Sequence, residues 1–348
     1  MKRLRSCSCV LSGLAVVFGG WAITLWIAKD RSPRLVDIAH RTYYDPWLFS
    51  TQYKYIWTSS TTGVSLNQIR TTNSADSWKA FRFDVATGQH DEIIELQIPE
   101  LANSASPISF AQDSSYLLIE ARDPKSTKRM TAIAYDLHGH KLGAWNEASG
   151  NSNSPALLSR TRQWVELRGS DQSTTGVLHR LSGADTKLGN CPMPPYAHWL
   201  GEDRSGQVLN YTENYSDEHD EHKFRIWAYN ANTIHLSRNW ALPLPSDSSS
   251  DYAEISPDGE RILFMLESGG QAVYPYPMRE FLSVSAANAR SPVRWALWTC
   301  NSDGTSPHEI GCIRSDEDPG GVIGVAWLPD SKSISFINHG WLHVVAAP

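Results

Sequence analysis

The densest group of side chains able to do chemistry is Tyr215-Ser216-Asp217-Glu218-His219-Asp220-Glu221-His222-Lys223. Carboxylates beside two imidazoles three residues apart make a donor set for Zn²⁺ or another divalent ion. Asp217, His219, Asp220 and His222 are therefore the candidate metal ligands. The same residue types are also what a solvated hairpin tip carries, and no further ligand is identifiable elsewhere in the chain. A second segment, Ser268 to Pro292, contains Tyr274-Pro275-Tyr276-Pro277-Met278-Arg279-Glu280-Phe281. Alternating prolines hold a backbone extended, and Tyr, Met and Phe are frequent anchors of protein interfaces. Tyr274, Tyr276, Met278 and Phe281 are the candidate partner-binding residues; the competing reading is a loop packed on itself.

The catalytic templates fail. The chain has no Gly-x-Ser-x-Gly elbow, no His-Glu-x-x-His, no phosphate loop and no dinucleotide fingerprint. No cofactor is expected. Asp and Glu are plentiful, and a glycosidase-type carboxylate pair would come from distant strands that spacing does not reveal.

The elements that must position these segments read as short strands separated by turns. The clearest stretch is Trp295 to Val345, where Trp295–Cys300 turns at Asn301-Ser302-Asp303-Gly304. A strand ending in Trp327 then turns at Pro329-Asp330-Ser331-Lys332 into Ser333–Ile337 and a last strand. Weaker versions recur up the chain in units of roughly 40 to 60 residues, beginning near Trp47, Pro107, Pro155, Ala197, Ala253 and Val325. The balance of 14 Trp, 13 Tyr, 23 Gly and 19 Pro favours strands and turns over helices. Units of this size cannot bury both sheet faces alone, so they stack radially, and the expectation is an all-β, six-bladed β-propeller over residues 47–348. Seven blades would need a further unit, with Thr51–Ser77 the place for it.

Three turn sequences carry a family resemblance. They are Ser256-Pro257-Asp258-Gly259-Glu260-Arg261, Leu297 to Pro307, and Trp327-Leu328-Pro329-Asp330-Ser331-Lys332. These resemble the Pro-Asp turn repeat of TolB-type (PD40, WD40-like) propellers. The resemblance is specific over 251–345 and degenerate over 45–250, where Gln112-Asp113-Ser114-Ser115 stands in for Pro-Asp-Gly-Lys. TolB itself carries an α/β domain for which this chain has no room, so its role in the Tol–Pal envelope system does not transfer. The last unit lacks a fourth strand. In such propellers an N-terminal strand often closes the ring, and Leu35–Ile38 is the candidate within a connector at 29–46.

Residues 1–9 form a basic cap, followed by Val10–Ala28, 19 residues without a charge. As a helix this run would span about 28 Å, close to the ~30 Å of a bilayer core. No small-x-small cleavage site precedes Lys29, so the expectation is an uncleaved transmembrane anchor at 10–28 rather than a signal peptide. The basic cap places the N-terminus in the cytoplasm and the propeller on the exported, periplasmic or extracellular side. Beyond Arg34 the chain holds 25 basic and 36 acidic residues, which argues against nucleic acid as a partner. If the Asn301–Gly304 turn joins a regular hairpin, Cys300 and Cys312 lie about four residues out of register, beyond disulfide reach, so free thiols are expected.

Together these features predict a membrane-anchored, exported β-propeller that acts as a protein-binding or scaffolding module of the cell envelope. The alternative is a propeller-fold hydrolase or lyase on carbohydrate or peptidoglycan-like substrate, with two axial carboxylates about 5–10 Å apart.

Overall fold

The computed structural model describes residues 32–46, 48–49, 54–69, 77–93, 108–111, 115–122, 130–147, 156–158, 163–170, 173–181, 186–190, 198–213, 224–233, 235–245, 248–270 and 290–348. The segment 10–28 expected to cross a membrane lies outside them. Among the described residues no helix is long and apolar enough to do so.

The described part begins with a single helical turn, α1 (Leu35–Ile38), followed by β1 (His40–Tyr44). Four-stranded antiparallel sheets then follow one another along the chain. The first holds β2 (Lys54–Trp57), β3 (Thr62–Ile69), β4 (Ser77–Asp84) and β5 (Gln89–Glu92). The second holds β6 (Ile108–Phe110), β7 (Tyr116–Arg122), β8 (Met130–Asp136) and β9 (Lys141–Glu147). The third holds β10 (Ala156–Leu158), β11 (Gln163–Ser170), β12 (Ser173–Arg180) and β13 (Thr186–Asn190). The fourth holds β14 (His198–Glu202), β15 (Gln207–Glu213), β16 (Phe224–Asn230) and β17 (Leu236–Ala241). The fifth holds β18 (Ser248–Ile255), β19 (Arg261–Ser268), β20 (Arg294–Asn301) and β21 (His308–Arg314). The last contains β22 (Ile323–Trp327), β23 (Ser333–Asn338) and β24 (Trp341–Ala346), with β1 hydrogen-bonded to β24 as its outer strand. The fold is an all-β propeller. Thr51–Ser77, the place reserved for an extra unit, holds β3, the second strand of the first sheet.

The strand that completes the last sheet is His40–Tyr44, not Leu35–Ile38. The reason is periodicity. Leu35 is fully buried among Ile310, Ile313 and Val345, and Val36 and Ala39 pack on the same cluster. One helical turn, closed by the Ala39 N–H on the Leu35 carbonyl at 3.0 Å, brings these three residues to one side. A strand would have sent alternate residues to opposite faces.

The core lies between sheets. Val64 and Leu66 meet Leu117 and Ile119 between the first and second sheets. Tyr116 and Ala132 of the second sheet meet Trp164 of the third. Phe224 and Ile226 of the fourth meet Phe264 and Cys300 of the fifth, and Leu263 and Leu297 meet Val325 and Phe336 of the last. Where β22 lies beside β2, Phe83 is enclosed by Tyr43, Phe49, Tyr55 and Trp57, with ring centroids 5.4–6.4 Å apart. The Ser335 hydroxyl completes that seam. It donates to the Ala326 carbonyl at 3.2 Å and accepts from the Trp57 indole at 2.7 Å, so the Tyr55 hydroxyl at 2.9 Å is a second donor to it.

Cys300 is a buried free thiol, and Cys312 is buried as well. The register sets Cys312 opposite Ala296, four positions before Cys300 on the same strand. Burial first, and then the Asp303 charge, push the Cys300 thiol up to about 12.

The Pro-Asp turns do more than join two strands. Asp258 accepts from the Ser256 hydroxyl and the Glu260 N–H, while Gly259 takes φ +75°. A Cβ on Gly259 would lie 2.6 Å from the Arg204 nitrogen, because the Gly259 carbonyl accepts that N–H from the turn of the neighbouring sheet. On the other side the Asp258 N–H donates to Ser331 Oγ at 3.1 Å. Arg261 reaches the Ser331, Ala347 and Pro348 carbonyls and lies over the Trp327 ring. Turn therefore clasps turn from the fourth sheet to the last.

Ser331 occupies the glycine-like position of its turn, at φ +55°. A left-handed residue costs about 1–2 kcal/mol, and its hydroxyl returns about 1 kcal/mol through Asp258. Ser331→Gly should therefore unfold close to wild type, whereas Ser331→Ala keeps the strain, loses the bond, and should lose about 1 kcal/mol in urea denaturation. Equal stability of Ser331→Ala and wild type would show that the clasp contributes nothing.

Candidate functional site

Asp217, His219, Asp220 and His222 fall within 214–223, and Tyr274, Tyr276, Met278 and Phe281 within 271–289. Both segments lie outside the described residues, but the strands that launch them do not. Each segment joins the second strand of a sheet to the third: β15 to β16 in the fourth sheet and β19 to β20 in the fifth. In an antiparallel meander those links leave from the face opposite the Pro-Asp turns. The two stems converge on the start of β18. Glu213 at the end of β15 accepts the Ser250 N–H at 2.6 Å, and Ser268 at the end of β19 is the register partner of Ser248. The two candidate segments thus leave neighbouring sheets from positions two residues apart along β18.

The second stem is rigid for a local reason. Gly270 N–H donates to the Ser291 carbonyl at 3.1 Å, and Val293 exchanges hydrogen bonds with Ser315. Gly269 sits at φ +88° with the Pro292 carbonyl oxygen 2.1 Å from where a Cβ would lie. No other residue fits there without moving backbone.

Beside these stems, on the fifth sheet where the link from the fourth enters it, is a cavity of about 280 Å³ lined by Pro245, Ser248, Leu266, Ser268, Arg294, Trp298 and Glu309. Arg294 and Glu309, on the neighbouring strands β20 and β21, form an ion pair whose side chains are 22% and 17% exposed. The Ser248 hydroxyl donates to the Pro245 carbonyl at 2.7 Å. The Trp298 indole N–H is buried and makes no hydrogen bond among the described residues. Among the described residues no group of three or more His, Cys, Asp or Glu is placed to hold a metal ion.

A second unusual group sits on the inner strand β18. Glu254 is pushed up to about 7, foremost by burial; a weak contact from the Trp327 N–H at 3.4 Å and the Tyr252 hydroxyl oppose the shift. Tyr252 is raised in turn, by burial and then by the Glu254 charge. The Trp327 indole donates to the Glu254 carbonyl at 3.3 Å, so this group fastens the fifth sheet to the last. Its chemistry is that of a carboxyl half-ionised near neutrality and held between two sheets. None of Glu254, Arg294, Trp298 and Glu309 stands out in the sequence, because their significance lies in cross-strand register and in contacts between sheets.

No protein-family model matches this chain. No curated protein matches it either. Among solved structures, the chain is similar to TolB from Acinetobacter baumannii at 10% identity, over 83% of this chain and 64% of that one, with a TM-score of 0.48. It spans less than two thirds of that protein. A putative TolB from Agrobacterium tumefaciens is 11% identical over 86% of this chain and 93% of its own, TM-score 0.48. The β-propeller domain of the Trilobed protease from Pyrococcus furiosus is 12% identical over 82% and 78%, TM-score 0.40. The fold is a β-propeller. The sheet order and the Pro-Asp turns carry that statement.

The Glu254 carboxyl gives a pH test. Its pKa in the folded propeller lies above the ordinary carboxylate value of 4.5. The folded state therefore holds the proton more tightly, and stability is lost as pH rises from about 4.5 through 7. Glu254→Gln should remove that dependence, by at most about 3 kcal/mol before discounting for partial solvent screening. Thermal melts of both proteins at pH 5 and pH 8 read it out: the variant should gain on wild type at pH 8 alone.

Proposed function

We propose that this chain is a membrane-anchored, exported propeller that holds a protein partner of the cell envelope. In this reading the six sheets are six blades round one axis, and Val10–Ala28 tethers the ring to the bilayer. The partner is recognised on the face that launches 214–223 and 271–289. The observation that carries the proposal is the convergence of both stems on β18, through Glu213–Ser250 and the Ser248–Ser268 register, next to a cavity. Long links on a rigid scaffold are where binding function concentrates. Tyr274, Tyr276, Met278 and Phe281 supply the aromatic and thioether anchors such an interface uses.

Affinity capture of the full-length chain from solubilised membranes tests this. Wild type should retain a partner that is lost when Tyr274, Tyr276, Met278 and Phe281 are all changed to Ser. A variant changed on the opposite face, at Asp303 and Lys332, should retain it. Equal recovery with all three proteins would overturn the assignment of the face. Recovery of the chain in the soluble fraction after cell lysis would overturn the anchor separately.

A further inference from the structure

His343 is an imidazole in a place that offers it no polar partner. It sits on β24, is 0% exposed, and neither ring nitrogen makes a hydrogen bond among the described residues. Its ring stacks on Phe336 of β23, with centroids 4.8 Å apart and planes 6° from parallel. By strand alternation it shares a face with Val345, which packs with Leu35 of α1 and with Ile310 and Ile313 of β21. A buried polar group without a partner costs stability and calls for explanation. An apolar ring would fill the same place without that cost.

The segment that closes the last sheet also covers this ring. Arg41 of β1 is the register partner of His343, and α1 lies against both β21 and β24. Arg41, whose guanidinium lies 5.4 Å over the Trp341 ring, is a like charge to a protonated imidazole. Asp318, on the link between β21 and β22, is the opposing charge, but it is already engaged. His339 Nε2 contacts it at 2.6 Å, the Gly320 N–H at 3.0 Å and Asn338 Nδ2 at 3.3 Å. His40 pairs with Val344, on the other face of the sheet. Arg34 and Asp37 pair with each other, and Arg34 with Glu317, at the surface. β21 and β23 bring the apolar Ile313 and Phe336. A proton on His343 is therefore a buried cation beside Arg41 without an acceptor. Burial first, and then the Arg41 charge, push the ring down to about 4, against the pull of Asp318.

We propose that His343 is an acid-sensitive latch on the closing strand: when its ring takes up a proton, Leu35–Tyr44 leaves β24 and the last sheet loses its outer strand. With that segment gone the ring meets water, which solvates the charge and restores an ordinary pKa near 6.5. The proton thus binds the released state more tightly than the closed one. Closure is fully stabilised above about 6.5 and weakens as pH falls from there toward 4. The sign is opposite to that of Glu254, whose protonation favours the folded state. Acid therefore loosens the outer edge of the last sheet while firming its inner contact with the fifth.

Amide hydrogen exchange of the full-length chain at pH 7.5 and pH 5, corrected for intrinsic exchange rates, is the test. Opening of Leu35–Tyr44 should rise about 25-fold at the lower pH, while β19 and β20 keep their protection. His343→Phe keeps a ring on Phe336 and removes the titrating group; its Leu35–Tyr44 segment should open equally at both pH values. The wild-type ring gives a second reading that needs no variant: followed by ¹⁵N resonance in the closed chain, it should stay neutral at pH 5. Equal opening of wild-type Leu35–Tyr44 at the two pH values would overturn the proposal, as would a charged His343 in the closed chain at pH 5. Parallel loss of protection in β19 and β20 would show general acid unfolding and overturn it too. So would an undiminished pH dependence in His343→Phe.

Discussion

The propeller depends on one pairing: β1 against β24. His40 lies opposite Val344 and Tyr44 opposite Trp341, so residues at the two ends of the described chain share one ladder. That contact spans some three hundred positions, and its loop-closure entropy must be offset by what the closure buries. The structure puts much of its aromatic surface there. Tyr43 of the closing strand stacks on Phe83 of the first sheet with ring planes 9° apart, and Phe49, Tyr55 and Trp57 surround the same ring. Removing β1 would strip one side of β24 and part of the Phe83 enclosure together.

A second set of constraints runs round the rim. The Arg204 N–H on the Gly259 carbonyl, the Asp258 N–H on Ser331 and the Arg261 contacts with Ser331 and the C-terminal carbonyls link successive sheets on the turn face. With that rim clasped, the opposite face is left for long links. The stems on β18 and the Arg294–Glu309 cavity sit there. The two faces thus differ: short, hydrogen-bonded turns on one, long links and a hollow on the other.

Much of the fold was legible in the sequence where strands are short apolar runs bounded by turn residues. Lys54–Trp57, Tyr116–Glu120, Phe224–Tyr229 and Ile262–Leu266 read as strands because their inward residues are buried. Several outer strands were not legible. β5 is Gln-His-Asp-Glu with three exposed residues, and the first four residues of β17 are exposed, so neither carries an apolar signature. β1 escaped for the same reason, since only Tyr43 among its five residues is buried. Leu35–Ile38 looked more strand-like than the strand that follows it. The candidate segments at 214–223 and 271–289 were legible as composition, but their adjacency was not; it needs the register of β18 with β19 and the reach of Glu213. The roles of Glu254, Arg294, Trp298 and Glu309 emerge only once sheets are stacked.

Amide hydrogen exchange across β1 and β24 tests the central claim most directly. Mutual closure makes the amides of His40–Tyr44 open together with those of Trp341–Val345, with protection close to that of the inner hairpin β22–β23, because losing one strand unseals the ring. Rapid exchange of His40–Tyr44 while Trp341–Val345 remains protected would contradict it, and would show that the N-terminal strand merely rests on a ring closed by other means.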